Sequence, residues 1–260
     1  MNRLGFKDKS ELEEAYSLIN ESDNLFLEGI YTHFATSGRG DIIYHEQLKK
    51  VNDLISFMDL QSIPIVHFDR SLTFVSHNKI PIVSGIRLGI MMYGFSGSVE
   101  PNNSFINILR KIKRNLLGKG ESNNYISENN LDLKTAFSLY SEVISVRKVK
   151  SGETVGYNAT YKVMSDGVIA TIAIGYADGV TKDYDVVYIN NKPYKIVSDS
   201  MDMLMVLVDD SVKIGDTVEI IGKNNTIRSI ALRLNTSSYH VFNSITTRVS
   251  KVYLNNKKGS

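Results

Sequence analysis

Apolar positions recur with two different periods along this chain, and the change of period divides it. Tyr44, Leu48, Val51, Ile55 and Met58 step by four, three, four and three residues, which is the stripe of an amphipathic helix with Asp41 placed to cap it. Ser10 and Glu13 have the spacing of a capping box ahead of a helix over Ser10–Asn20. Between these helices, Leu25–Phe34, Ile63–Phe68 and Ile80–Ile90 have strand composition, and Ser71–His77 reads as a helical turn. Helix and strand in alternation predict βα units and a parallel sheet. From Ala136 the period shortens: 138–149, 159–163, 167–174, 185–189, 194–197, 203–208, 217–221 and 244–253 are short runs rich in Val, Ile and Tyr, punctuated by Gly, Asp and Asn. One helix is expected there, Ser229–Leu234. The predicted fold class is therefore α/β plus all-β, with a parallel α/β part over 1–96 and a β-domain over 135–260.

The stretch between them, 97–134, follows neither pattern. It holds five basic residues between Arg110 and Lys119, set among Asn, Ser and Gly. Such a cluster suits a nucleic-acid patch, but an inserted surface helix followed by a mobile loop explains it more simply. The whole chain argues the same way: a formal net charge of +2 gives no reason to expect nucleic acid or an acidic membrane as partner. With 42% hydrophobic and 22% charged residues, 260 residues are enough for one large domain or two ordinary ones. The absence of cysteine excludes disulfides and thiolate metal sites and fits a reducing compartment. No apolar run approaches the ~20 residues a bilayer demands, and the first ten residues lack a signal-peptide core, so the expected location is the cytoplasm.

Local signals for chemistry are modest one by one. I-R-L-G-I at 86–90 places Gly89 at a strand end, where free N–H groups could cradle a phosphate; a plain strand-end glycine is the simpler reading. His33 lies in Y-T-H-F-A-T, at the end of an otherwise apolar strand, and would ordinarily be a satisfied core or rim histidine. G-Y-A-D-G at 175–179 is a tight turn, and S-M-D at 200–202 a turn into a strand. The five histidines, at 33, 45, 67, 77 and 240, have no metal-ligand spacing. No Ser-His-Asp set or Walker-type loop is present. E-T-V-G-Y-N-A-T-Y at 153–161 leaves open whether Tyr157 is a strand aromatic or a proton-transfer group.

Taken in order, L-E-G-I-Y-T-H-F-A-T, I-R-L-G-I-M-M-Y-G, G-E-T-V-G-Y-N-A-T-Y, I-A-I-G-Y-A-D-G, M-D, Y-H and R-V-S-K-V-Y resemble the alanine racemases from residue 1 to about 253, with the break at 97–134. The resemblance implies a (β/α)₈ barrel followed by a C-terminal β-domain, pyridoxal 5'-phosphate as cofactor, and a head-to-tail homodimer. It implies L- and D-alanine as substrates, interconverted for peptidoglycan synthesis. The cofactor phosphate would lie at Ser71, the backbone of Gly89 and Ile90, and the Tyr239 hydroxyl, at the usual face of a barrel site. Arg87 would face the pyridine nitrogen; a guanidinium donates a hydrogen bond there without giving up its proton. Tyr157 would be one of two bases flanking Cα. Its phenol titrates near 10 when free, so it needs help, which a chain from Tyr157 through His33 to Arg87 would supply. The backbone at Met201, aided by Arg3, would bind the substrate carboxylate. Asp202 would orient that loop, and Tyr176 would line the entry.

The second base implied by the resemblance is a lysine in a segment resembling V-K-A-x-A-Y-G, which also holds the cofactor covalently. No such segment occurs in this sequence, and Lys79 and Lys134 match nothing in the family. A (β/α)₈ barrel takes about 250 residues, whereas about 95 precede the β-domain here. The expectation is thus a truncated or split chain with part of a barrel, open at its strand edges and poorly stable alone. Other departures are Arg70 for Asn, Ser198 and Asp199 for Gly-Arg, Ser200 for Cys, Lys182 for Arg and His240 for Glu. These changes raise an alternative, a catalytically inactive homologue acting in binding or assembly. A racemase of serine or another small amino acid is a further alternative, against which Tyr239 leans.

Overall fold

A computed structural model describes residues 1–37, 41–95 and 133–254. The expected basic insertion at 97–134 therefore lies almost wholly outside the described residues. The chain divides into two compact units, Met1–Lys134 and Thr135–Ser260.

In the first unit, helix α1 (Lys9–Glu21) is followed by strand β1 (Gly29–Tyr31), helix α2 (Ile42–Leu54), strands β2 (Ile65–His67) and β3 (Asp69–Arg70), helix α3 (Ser71–Ser76) and strand β4 (Ile86–Arg87). β1 pairs with β2, and β3 with β4, both in parallel. β2 and β3 are separated only by Phe68, and the two pairs are parallel two-stranded sheets, the kind of pairing that the helix–strand alternation predicts. The strands are shorter than expected. Of Ile80–Ile90 only Ile86–Arg87 is strand, because the chain turns at Gly89 into a 3-10 turn over Ile90–Tyr93 that ends in the left-handed Gly94.

The periodic stripe of α2 is confirmed as its inner face. Tyr44, Val51 and Ile55 are buried with Phe34, Ile63, Val66, Phe68 and Val83, and Leu48 and Met58 pack partly buried against them. Burying each large side chain contributes about 1.5–3 kcal/mol. Asp41 caps α2 by accepting a hydrogen bond from the Ile43 amide at 3.0 Å. α1 departs from expectation at its start. Asp8, not Ser10, is the cap: its carboxylate accepts from the Glu11 amide at 2.9 Å and from the Ser10 hydroxyl at 2.8 Å. A full negative charge is favoured over a hydroxyl at the positive end of a helix.

The second unit is built on a closed antiparallel barrel. Its strands are β5 (Leu139–Val149), β8 (Gly167–Ile172), β9 (Val186–Ile189), β10 (Lys192–Asp199), β11 (Leu204–Val208) and β12 (Thr217–Ile221), ordered β10-β11-β8-β5-β12-β9. The short strands β6 (Thr154–Val155) and β7 (Tyr161–Lys162) form a separate hairpin. Alternation sets the interior: Leu204, Val206 and Val208 of β11 and Val187 and Ile189 of β9 are buried, while their neighbours are not. Two helices follow, Ile227–Arg233 and Ser238–Ser244.

One expected strand, 244–253, does not form. Ser237 caps the second helix by accepting from the His240 amide, and the helix runs to Ser244. Thr246 beyond it hydrogen-bonds to the carbonyls of Ala177 and Asp178. A ring of strands that already closes on itself offers no edge for a further strand.

Buried Asn225 locks the ring to the first of these helices. Its amide donates to the carbonyls of Ile220 at 2.7 Å and Val186 at 3.0 Å, and its oxygen accepts from Arg233 Nη2 at 2.6 Å.

Candidate active site

Two groups of the expected site residues are assembled, one within each unit. In the first, His33 and Arg87 stand at the ends of strands. His33 follows β1, where Gln47 of α2 pins the backbone: its amide donates to the His33 carbonyl at 2.9 Å and its oxygen accepts from the Ala35 amide at 2.9 Å. Gln47 gave no sign in the sequence, being a polar residue on a helix whose apolar stripe lies elsewhere. The His33 imidazole is held below its ordinary pKa of 6.5 by burial first, then by the charges of Arg87, Arg70 and Arg3. Arg3 also acts on the Arg87 guanidinium, so its charge is felt by both groups.

Arg87 is fixed on several sides. Its Nη2 donates to the Thr32 carbonyl, and its guanidinium carbon lies 4.9 Å from the centre of the Tyr31 ring. That ring stacks in turn on His67 at 5.2 Å, its register partner in the parallel pair. Arg87 Nε is buried and has no hydrogen-bond partner among the described residues. A buried donor without an acceptor is costly and marks a place where a ligand acceptor would be stabilising.

Ser71 and Gly89 are brought together as well. Ser71 begins α3 directly after β3, and Gly89 lies just past β4. The parallel pairing of these strands puts the Gly89 amide 2.9 Å from the Ser71 hydroxyl, which accepts its hydrogen bond. Ile90 next to it is buried and holds the turn down.

The second group belongs to the β-barrel unit. Tyr157 is not in a strand. It opens a 3-10 turn between β6 and β7, its side chain is 74% exposed, and its hydroxyl has no partner among the described residues. The preceding Gly156 has φ of +81°, and a Cβ there would stand 1.9 Å from the Ser198 hydroxyl. Only glycine fits that approach. Ser198 lies just after a bulge in β10, which turns the strand end toward this loop.

The turns 175–179 and 200–202 are stitched to each other. A Cβ on Gly175 would lie 2.3 Å from the Ser200 carbonyl oxygen. The Tyr176 amide donates to the Ser200 carbonyl at 3.1 Å, and the Ala177 amide to the Met201 carbonyl at 2.9 Å. Tyr176 and Met201, 51% and 55% exposed, are thereby presented from one rigid double turn. Asp202 is exposed at its tip. The Asp199 carboxylate accepts from the Lys182 amide at 2.9 Å, which joins two of the positions where the chain departs from the resemblance. Tyr239 lies on the helix Ser238–Ser244, 40% exposed and apart from this double turn in sequence.

Comparison with known proteins gives the same pieces in the same order. The alanine racemase N-terminal domain family matches residues 1–97 and the alanine racemase C-terminal domain family matches residues 136–253. The chain belongs to the alanine racemase family. It is 31% identical to the alanine racemase of Anoxybacillus flavithermus over 99% of its own length and 62% of that protein's, and 31% identical to the alanine racemase of Streptococcus gordonii over 98% and 64%. Among solved structures, it superimposes with a TM-score of 0.79 at 28% identity on the alanine racemase of Bacillus anthracis with bound L-Ala-P, covering 99% of this chain and 63% of that one. The alanine racemase of Clostridium difficile gives a TM-score of 0.80 at 27% identity, over 98% and 62%. The chain thus spans about 62–64% of the length of these alanine racemases.

Proposed function

We propose that this chain carries the proton-transfer tyrosine and the cofactor-facing residues of a pyridoxal-phosphate-dependent alanine racemase, a cytoplasmic enzyme interconverting L- and D-alanine for peptidoglycan synthesis. The observation that carries the reading is the grouping of Arg87, His33, Ser71 and Gly89 at neighbouring strand ends within one family-matched unit.

These residues fit the cofactor. The Ser71 hydroxyl and Gly89 amide supply a donor pair for a phosphate, and the unpartnered Arg87 Nε is a buried donor suited to the ring. Bound there, pyridoxal phosphate supplies an electron-withdrawing ring that accepts the electron pair left when an amino acid loses its Cα proton. The remaining work falls to the chain. Arg87 donates to the ring nitrogen and keeps its proton. Met201 and Arg3 hold the substrate carboxylate, and Tyr176 and Asp202 shape its entry. Tyr157 would take the Cα proton of one enantiomer, or deliver a proton to that same face of the planar carbon, and the opposite face would be served by the second base. His33, uncharged at neutral pH because its pKa is lowered, passes the charge change toward Arg87. Tyr157 projects into solvent from its own unit, which suits delivery to the half-site of a second copy in a head-to-tail dimer.

The test is exchange of the alanine Cα proton with solvent deuterium by the chain loaded with pyridoxal phosphate, followed by NMR, which needs a base on one face only, in the native sequence and in Tyr157→Phe. Loss of at least about a hundred-fold in rate is expected, the lower range for removing a positioned general base. An unchanged rate removes Tyr157 from the reaction.

A second reading, a catalytically inactive binding or assembly module, draws on one observation. These 260 residues contain no V-K-A-x-A-Y-G-like segment to provide the second base. The same exchange assay separates the two: uptake of deuterium at Cα that is lost in Tyr157→Phe favours the enzyme, and no uptake above free pyridoxal phosphate favours the module.

A further inference from the structure

The motif R-V-S-K-V-Y at 248–253 has no part in the chemistry above, yet its first residue reaches the double turn that presents Tyr176 and Met201. Arg248 Nε donates to Asp178 Oδ1 at 3.0 Å, and the other oxygen of the same carboxylate accepts the Gly175 amide at 3.0 Å. The Asp178 side chain is 13% exposed, while that of Arg248 is 55% exposed. The 244–248 segment grips the turn at further points. The Thr246 amide donates to the Asp178 carbonyl at 3.1 Å and its hydroxyl to the Ala177 carbonyl at 2.9 Å. Gly179, with φ of +93°, lies so close to Ser244 that a Cβ would stand 2.0 Å from its carbonyl oxygen.

The turn is therefore held on one side by 200–202 and on the other by 244–248, and the Asp178 carboxylate bonds both inside it, to the Gly175 amide, and outside it, to Arg248. It fixes Gly175 at the point where Gly175 meets Ser200 and Met201, and it takes its charge partner from the C-terminal segment. We infer that Asp178, held by Arg248, is a positioning residue that sets the Tyr176 ring and the Met201 backbone in register with each other. The inference rests on the reading of Tyr176 and Met201 as substrate-facing residues, and it extends that reading to a pair outside the reacting groups. Charge-assisted hydrogen bonds at a partly buried carboxylate are strong enough to hold such a turn. Their loss should loosen it locally, since the barrel strands do not depend on it.

The experiment is amide hydrogen exchange on the full chain by NMR, with Arg248→Gln, Arg248→Lys and Asp178→Asn compared with the native sequence, followed by titration with propionate as a carboxylate probe. In Arg248→Gln the amides of Tyr176 and Ala177 should exchange about ten-fold faster, while those of Val206 and Ile172 in the barrel stay unchanged. Arg248→Lys should restore part of the protection, and Asp178→Asn should exceed Arg248→Gln. Propionate should perturb the Met201 amide less in both damaging variants. Native exchange rates at Tyr176 and Ala177 in Arg248→Gln overturn the inference. So does faster exchange spread evenly over the barrel, which would make the pair a general stabiliser. Local loosening with an unchanged propionate response supports the clamp but sinks the assignment of Met201 to substrate. Arg248 is more than half exposed, so its variants fold even if Asp178→Asn does not.

Discussion

The Ser71 hydroxyl and the Gly89 amide meet at 2.9 Å across the β3–β4 pair, joining two segments eighteen residues apart. In this arrangement the amide has already turned inward, and the serine stands in for whatever anion would accept from it. A phosphate entering here exchanges one acceptor for another without rearranging the backbone. Ser71→Ala should therefore weaken binding of pyridoxal phosphate by about 10- to 150-fold, the range for one hydrogen bond to a charged group. Binding of pyridoxal, which lacks the phosphate, should not change. Parallel fluorescence titrations with the two compounds check this, and an equal loss for both would place the phosphate elsewhere.

Lowering of the His33 pKa has a definite consequence for stability. The unfolded chain takes up a proton near pH 6.5, while the folded chain resists it to lower pH, so stability falls as pH drops from about 6.5 through the folded value. His67 is shifted the same way, by burial and then by Arg87. Urea denaturation between pH 5 and pH 7.5 should show this slope, reduced but not abolished in His33→Gln. A His33 NMR titration midpoint above 6.5 would contradict it.

Asp69 works in the opposite sense. It is buried beside Tyr44, and burial raises its carboxyl pKa above 3.8. The folded state thus holds the proton more tightly, and stability declines as pH rises from 3.8 through the raised value. Asp69→Asn should stabilise the first unit at pH 7 by up to about 1 kcal/mol, and the gain should vanish in acid. Thermal melts at the two pH values decide it.

Gly156→Ala tests the seat of Tyr157. A methyl group meets the Ser198 hydroxyl and a left-handed φ at once, so the 156–160 loop must shift. A loss of roughly 1–3 kcal/mol in unfolding free energy is expected, by analogy with strained left-handed sites. Combining it with Ser198→Gly should recover part of the loss, since that removes the steric component and leaves the backbone one. Full stability in Gly156→Ala alone would mean the loop is free to move.

Much of this architecture was readable from the chain because it depends on local period. The α2 stripe and its Asp41 cap were explicit, and so were the barrel strands, whose alternation comes from facing one core. The features that were missed depend on contacts between distant segments. The 244–253 run has strand composition, but barrel closure leaves it no edge and the 175–179 turn claims Thr246 instead. Asp8 outcompetes Ser10 because its charge interacts with the helix dipole, which a pattern match does not weigh. Gln47 could not be found at all, since its value lies in the backbone it happens to reach. The candidate site was legible only as fragments. Ser71 and Gly89 became neighbours through strand pairing, and 175–179 met 200–202 through a turn.

The uninterrupted circle of strands in the second unit separates durability from change. Every strand already has both neighbours, so substitutions in the turns at its rim, such as that at Ser200, do not threaten the scaffold beneath them. Selection can thus reshape what those turns offer to a ligand, or let it decay, while the staves hold. A descendant could lose or exchange its chemistry long before it lost its shape.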